Sequence, residues 1–107
     1  MRLRAACLAA ILVVSHGVQA MACSLDEMRS LMRSSDEHVG WADFWSDLDD
    51  RETRAELGYA QSDLRDLGRL VNDPDCDDSP AVLAMRRAFL SANTACMRRL
   101  ALASRRH

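Results

Sequence analysis

The sequence predicts an all-α fold, a small helical bundle formed by one domain. Ala, Leu, Arg, Met and Asp dominate the composition, whereas aromatic residues make up only 5% of the chain. β-branched residues are scarce after the first 20 positions, and apolar residues recur at helical spacing. The chain has 107 residues, of which we expect 21–107 to form a single helical domain with one modest core. This composition excludes a multi-domain protein and a low-complexity disordered chain.

The first 20 residues have the layout of a secretory signal peptide. Two arginines precede an apolar run from Ala5 to Val14, and a more polar stretch ends at Ala20. The apolar run is about half as long as a membrane-spanning helix needs to be. We therefore expect cleavage after Ala20 or Ala22. All 14 basic residues are Arg, which is typical of a GC-rich genome, so the bacterial periplasm is the expected destination, with secretion as an alternative.

Three cysteines remain after such cleavage, Cys23, Cys76 and Cys96, and an oxidising compartment favours a disulfide between two of them. An unbroken helix from Pro80 carries Cys96 about 24 Å along its axis, whereas the chain from Cys76 to Pro80 reaches only about 14 Å. A bond between Cys76 and Cys96 is therefore disfavoured. The pairs Cys23–Cys76 and Cys23–Cys96 both stay open.

The position of Cys23 also allows a second interpretation of the N-terminus. Small residues before a cysteine resemble a bacterial lipoprotein signal, in which that cysteine is freed and acylated. Ala20 and Met21 depart from the usual residues of such a signal. An acylated Cys23 would anchor the chain in the outer membrane, so this interpretation and a disulfide at Cys23 are in part mutually exclusive.

The first half of the mature chain predicts two short helices. A capping box over Ser24–Glu27 predicts a helix that ends near Ser34. The polar segment Ser35–Gly40 is then expected to connect this helix to the next. Four apolar residues then recur at the spacing of a second helix: Trp41, Phe44, Trp45 and Leu48. We expect the aromatic members of this set, together with Phe89, to form the centre of the core.

The second half predicts a long antiparallel helical hairpin. From Asp50, apolar residues at alternating steps of three and four predict an amphipathic helix, which stops at Asn72-Asp73-Pro74. Ser79 supplies an N-cap hydroxyl before a proline, so a last helix begins there and reaches about Ala103. Cys96 lies on the apolar side of this last helix. The expected architecture is two short helices followed by this hairpin, a small four-helix assembly.

Charge is distributed unevenly along the chain. Residues 43–78 contain 12 acidic and four basic side chains, whereas residues 79–107 contain six Arg and no acid. We expect the two halves of the hairpin to attract each other and to complement the helix dipoles. The alternative is a basic C-terminal segment that meets an anionic partner or lipid headgroups. Nucleic acid is not an expected partner, because the mature chain is acidic overall.

No motif for metal binding or catalysis is complete in the sequence. The acidic loop 73–78 resembles the start of a calcium-binding loop, but Asp78 and Ala84 occupy the positions that need Gly and Glu. His38 is the only internal histidine of the mature chain, and no Gly-rich elbow frames a serine, so we expect neither an enzyme nor a cofactor. Soft ligands for copper are present on apolar stripes, where core packing is the simpler role: Met28, Met32, Met85, Met97 and Cys96.

The sequence therefore favours a non-enzymatic exported helical protein that binds another envelope protein, as an inhibitor, an immunity factor or an accessory factor for secretion or assembly. The candidate contact residues are Trp41, Phe44, Trp45 and Asp47, wherever the short helices leave them exposed. Two alternatives stay open: a lipid-anchored pilot lipoprotein acylated at Cys23, and a periplasmic metal or redox carrier.

Overall fold

The computed structural model describes residues 23–105, which form three α-helices. Helix α1 spans Leu25–Trp45, α2 spans Asp50–Val71 and α3 spans Pro80–Arg105. Helix α2 packs against both of the others, whereas α1 and α3 contact each other little. The chain is therefore an all-helical bundle with α2 at its centre. The predicted signal peptide and both cleavage sites lie outside the described residues.

Each helix begins at a polar side chain that accepts hydrogen bonds from backbone amides of the first turn. Ser24 and Ser79 each accept one such bond at 3.3 Å, from the amide three residues further on. Asp49 accepts two, at 2.9 and 3.1 Å. These bonds satisfy amides that have no partner within the helix, which explains why the predicted starts of all three helices are confirmed.

Helix α1 is continuous, so the prediction of two short helices joined by a connector at Ser35–Gly40 was wrong. The side chain of Ser35 is 1% exposed, and its hydroxyl donates to a carbonyl one turn earlier at 2.9 Å. A serine bonded in this way satisfies its polar group inside the helix and can occupy a core position. Met28, Ser35 and Ala42 are the buried residues of α1, and they recur every seven positions. Small side chains thus continue a buried stripe that the sequence pattern does not reveal.

The core is aliphatic and follows α2, so the expectation of an aromatic core was also wrong. Trp41 and Phe44 are mostly exposed, and Trp45 and Phe89 are only half-buried. The largest fully buried side chains belong to other residues: Met28, Leu57, Leu64, Leu67, Val71 and Cys96. Small residues such as Ala42 and Ala60 belong to this core, and Phe89 packs against it from α3.

A disulfide joins Cys23, just before α1, to Cys76 in the loop between α2 and α3. The two Cα atoms lie 5.3 Å apart, within the range that a disulfide requires. The bond ties the start of α1 to the end of the bundle where α2 and α3 are connected. Cys96, the third candidate for pairing, is instead a free thiol, because α3 carries it away from this loop into the core.

Candidate interaction surface

An aromatic cluster covers one side of the C-terminal half of α1. The rings of Trp41 and Phe44 meet edge to face with centroids 5.7 Å apart, and those of Phe44 and Trp45 do so at 5.1 Å. The rings of His38 and Tyr59 contact each other with centroids 5.3 Å apart, and His38 lies one helical turn before Trp41 on α1. We call these five side chains the aromatic surface: His38, Trp41, Phe44, Trp45 and Tyr59.

The aromatic surface lies on the side of α1 that faces away from α3. Ala42 is 1% exposed and points into the core. Asp43 turns toward α3, where its carboxylate accepts hydrogen bonds from Arg99 at 2.9 and 3.2 Å. Trp41 and Trp45 each lie two residues from Asp43, which is a rotation of about 200° around the helix. The two tryptophans therefore cannot share the α3 side of α1.

Three of the five residues of the aromatic surface are more than half exposed to solvent, at 54% for Trp41, 55% for Phe44 and 57% for Tyr59. His38 and Trp45 are half-buried. Leu48, in the turn between α1 and α2, is 67% exposed and adds an aliphatic edge. The chain contains five Phe, Trp and Tyr residues, and Phe89 is the only one outside this surface. Isolated exposed apolar side chains are ordinary, but a contiguous cluster indicates an interaction site.

Carboxylates surround the aromatic surface. Residues 34–50 contain six acidic side chains and no Arg or Lys. On α2, Glu52 and Glu56 lie one turn apart, and Glu56 Oε2 is 2.6 Å from Nδ1 of His38. Asp47, a contact residue predicted from the sequence, is exposed in the turn that follows α1. Exposed carboxylates therefore lie near this face, whereas Asp43 of the same segment is paired with Arg99 on the α3 side.

A groove lies between α1 and α3, with a volume of about 440 Å³. Thr53 and Leu57 of α2 line its floor, and Arg98 and Arg99 lie at its edge. This volume falls within the range of small-molecule sites. Arg99, however, is already bound to Asp43, and that hydrogen bond raises the pKa of the guanidinium. The groove is the weaker of the two candidate surfaces.

The soft side chains weighed as copper ligands lie in different surroundings. Within residues 23–105, no group of three or more His, Cys, Asp or Glu is placed to hold a metal ion. Met28 is fully buried in the core, whereas Met97 is 48% exposed and lies beside Gln61. In the acidic loop, Asp73 accepts the amide of Asp75 at 2.8 Å, which is an ordinary turn contact.

Cys96 is the free thiol of the described chain, and its surroundings make it inert. The side chain is 1% exposed, and its Sγ lies 3.8 Å from the carbonyl oxygen of Leu57. Burial raises the pKa of this thiol, although the nearby Arg99 partly opposes the shift. Because the thiolate is the reactive form, Cys96 is held in the state that neither attacks a substrate nor binds a metal.

The structure brings together the three aromatic contact residues that the sequence indicated, and it adds two that sequence reasoning missed. Tyr59 lies on the polar face of the amphipathic helix α2, where an aromatic residue is out of pattern. That departure is the signal by which it could have been found. His38 was assigned to a connector, and its role depends on the continuity of α1.

Comparison with known proteins does not identify the chain. No family model matches it, and neither the curated proteins nor the solved structures contain a significant match. In the part of the chain that the structure describes, no helix has the length and apolar character needed to cross a membrane. The chemistry of the described side chains is therefore the basis for assigning a function.

Proposed function

We propose that this chain is an exported, non-enzymatic helical protein that binds another protein of the bacterial envelope through the aromatic surface. The observation that carries the proposal is the exposure of the aromatic surface on one side of the α1–α2 hairpin. Trp and Tyr are enriched at the energetic centres of protein interfaces. Full burial of a large apolar side chain contributes about 1.5–3 kcal/mol, and an unpartnered chain forgoes roughly half of this at Trp41, Phe44 and Tyr59.

Two observations support export to an oxidising compartment. The first is the disulfide between Cys23 and Cys76, because such bonds persist in the periplasm and are rare in the cytosol. The second is the signal-peptide layout of residues 1–20. The two are independent, since one depends on the fold and the other on a segment outside it. Together they favour a periplasmic protein, with secretion as the alternative.

The alternative functions have less support. Acylation would consume the Cys23 thiol, which is bonded to Cys76, so a lipid-anchored lipoprotein is disfavoured. A metal or redox carrier would need an accessible Cys96, which is buried. A catalytic role for His38 has to compete with its contacts to Glu56 and Tyr59. Partner binding uses the side chains that these contacts leave exposed.

Site-specific photo-crosslinking in the envelope of the native host tests the proposal. A photoreactive amino acid at Phe44 is expected to crosslink to one discrete protein. The matched control is Leu90 on α3, which is 58% exposed but lies outside the aromatic surface. Trp41→Ala is expected to abolish the crosslink from Phe44 while the melting temperature stays unchanged. Equal crosslinking from Phe44 and Leu90, or unfolding of the Trp41→Ala variant, would contradict the proposal.

A further inference from the structure

We propose that the partner contributes a cationic amphipathic helix, which lies across the aromatic surface along α1 and α2. This inference rests on the proposed function and adds the chemistry of the partner to it. Three features of the structure carry it: the shape of the α1–α2 face, the charge around it, and the set of carboxylates that the fold leaves without partners.

The shape of the face suits a helix. His38, Trp41 and Trp45 share one side of α1 at i, i+3 and i+7, which places a row of rings over about 10 Å. Tyr59 adds one ring from α2, in contact with His38. Strand addition is not available here, because the backbone groups of both helices are engaged in helical hydrogen bonds. A helix laid on this face packs against α1 and α2 and completes a four-helix arrangement opposite α3.

The charge of the face selects a basic partner. Glu37 and Asp47 are exposed on either side of the α1 segment that carries the rings, and Glu52 is exposed on α2. Lys and Arg side chains at the edges of a docked helix gain from these carboxylates, and an acidic helix is repelled by them. Cations also stack favourably on the faces of Trp rings, so the exposed ring of Trp41 adds to the preference.

The fold divides the nearby carboxylates into two classes. Asp43 is bound to Arg99 and Glu56 is bound to His38, so these two contribute to the packing of the chain itself. Glu37 and Asp47 are exposed, and neither carboxylate has a hydrogen bond or an ion pair with another residue in the range 23–105. These two acids are thus available to a partner, and they lie on either side of the aromatic cluster in the sequence.

A fluorescence titration tests the inference directly. The chain contains two tryptophans, Trp41 and Trp45, so its intrinsic emission reports on this surface alone. The disulfide-bonded chain, purified from the periplasm, is titrated with an amphipathic Leu/Lys helical peptide and with the matched Leu/Glu peptide. The Leu/Lys peptide is expected to shift the emission to the blue and to bind more weakly as salt is raised. The Leu/Glu peptide is expected to produce no shift.

Charge reversal separates a local site from a bulk charge effect. The double variant Glu37→Lys/Asp47→Lys is expected to weaken binding of the Leu/Lys peptide about tenfold, from rim pairs each worth a fraction of a kcal/mol. The control, Asp75→Lys/Asp77→Lys, makes the same change in net charge in the loop after α2, and its affinity is expected to stay within about twofold of the parent.

The inference is overturned if both peptides bind equally, or if the two double variants lose affinity equally. A blue shift with neutral phosphatidylcholine vesicles but not with peptide would also overturn it, because that result would indicate a lipid surface. If the peptide fails to bind while the crosslink from Phe44 still forms, the chain binds a protein of different chemistry. The proposed function then stands and this inference alone is wrong.

Discussion

Removal of the disulfide between Cys23 and Cys76 is expected to destabilise the chain by about 4 kcal/mol. The bond links residues separated by 53 positions, and the chain-entropy relation for a loop of that size gives this value. Without the bond, the start of α1 loses its covalent tie to the loop that connects α2 and α3. Small domains have about 5–15 kcal/mol of stability in total, so the loss is a large fraction of it. The corresponding fall in melting temperature is about 15–30 °C.

Thermal unfolding followed by circular dichroism measures this effect. The variant Cys23→Ser/Cys76→Ser should melt at the temperature of the parent chain in dithiothreitol, and the reductant should not lower it further. The matched control is Cys96→Ala, which keeps the disulfide and should keep the full response to reductant. A parent chain that melts at the same temperature with and without reductant would refute the reasoning, because the loop would then be constrained by packing alone.

Two further predictions concern α2 and the buried thiol. Gly58→Ala should raise the free energy of unfolding by about 1 kcal/mol, because nothing lies within 4 Å of the new Cβ. Gly68→Ala should raise the free energy of unfolding by less, because its Cβ would meet the Phe89 ring at 2.8 Å. Urea titrations compare the pair, and equal gains would argue against this close packing. Cys96 should react with iodoacetamide much more slowly in the native chain than in urea, because burial raises the pKa of its thiol. The protonated thiol contributes stability below its ordinary pKa, and this contribution is lost as the pH rises toward the raised value. Unfolding at increasing alkaline pH measures the loss. A free energy of unfolding that does not change with pH in that range would contradict the prediction.

The sequence by itself determined the helical state of the chain and the ends of most helices. Caps at Ser24, Asp49 and Ser79 and the apolar period that follows them are local features, so they can be recognised without knowledge of packing. The last two helices begin and end within two residues of their predicted limits. Chain geometry also disfavoured the bond between Cys76 and Cys96, because reach along a helix is set by its rise per residue.

The tertiary structure decided which side of each helix is buried, and this choice located the candidate site. Ser35 and Ala42 occupy the core stripe of α1 because small side chains let α1 approach α2 closely, and that rotation turns Trp41 outward. A sequence pattern ranks side chains by hydrophobicity, and so it assigned the largest rings to the core. The choice of Cys76 as the partner of Cys23 likewise depended on which ends of the helices meet. Each of these outcomes is set by contacts between residues far apart in the chain, which local periodicity does not encode.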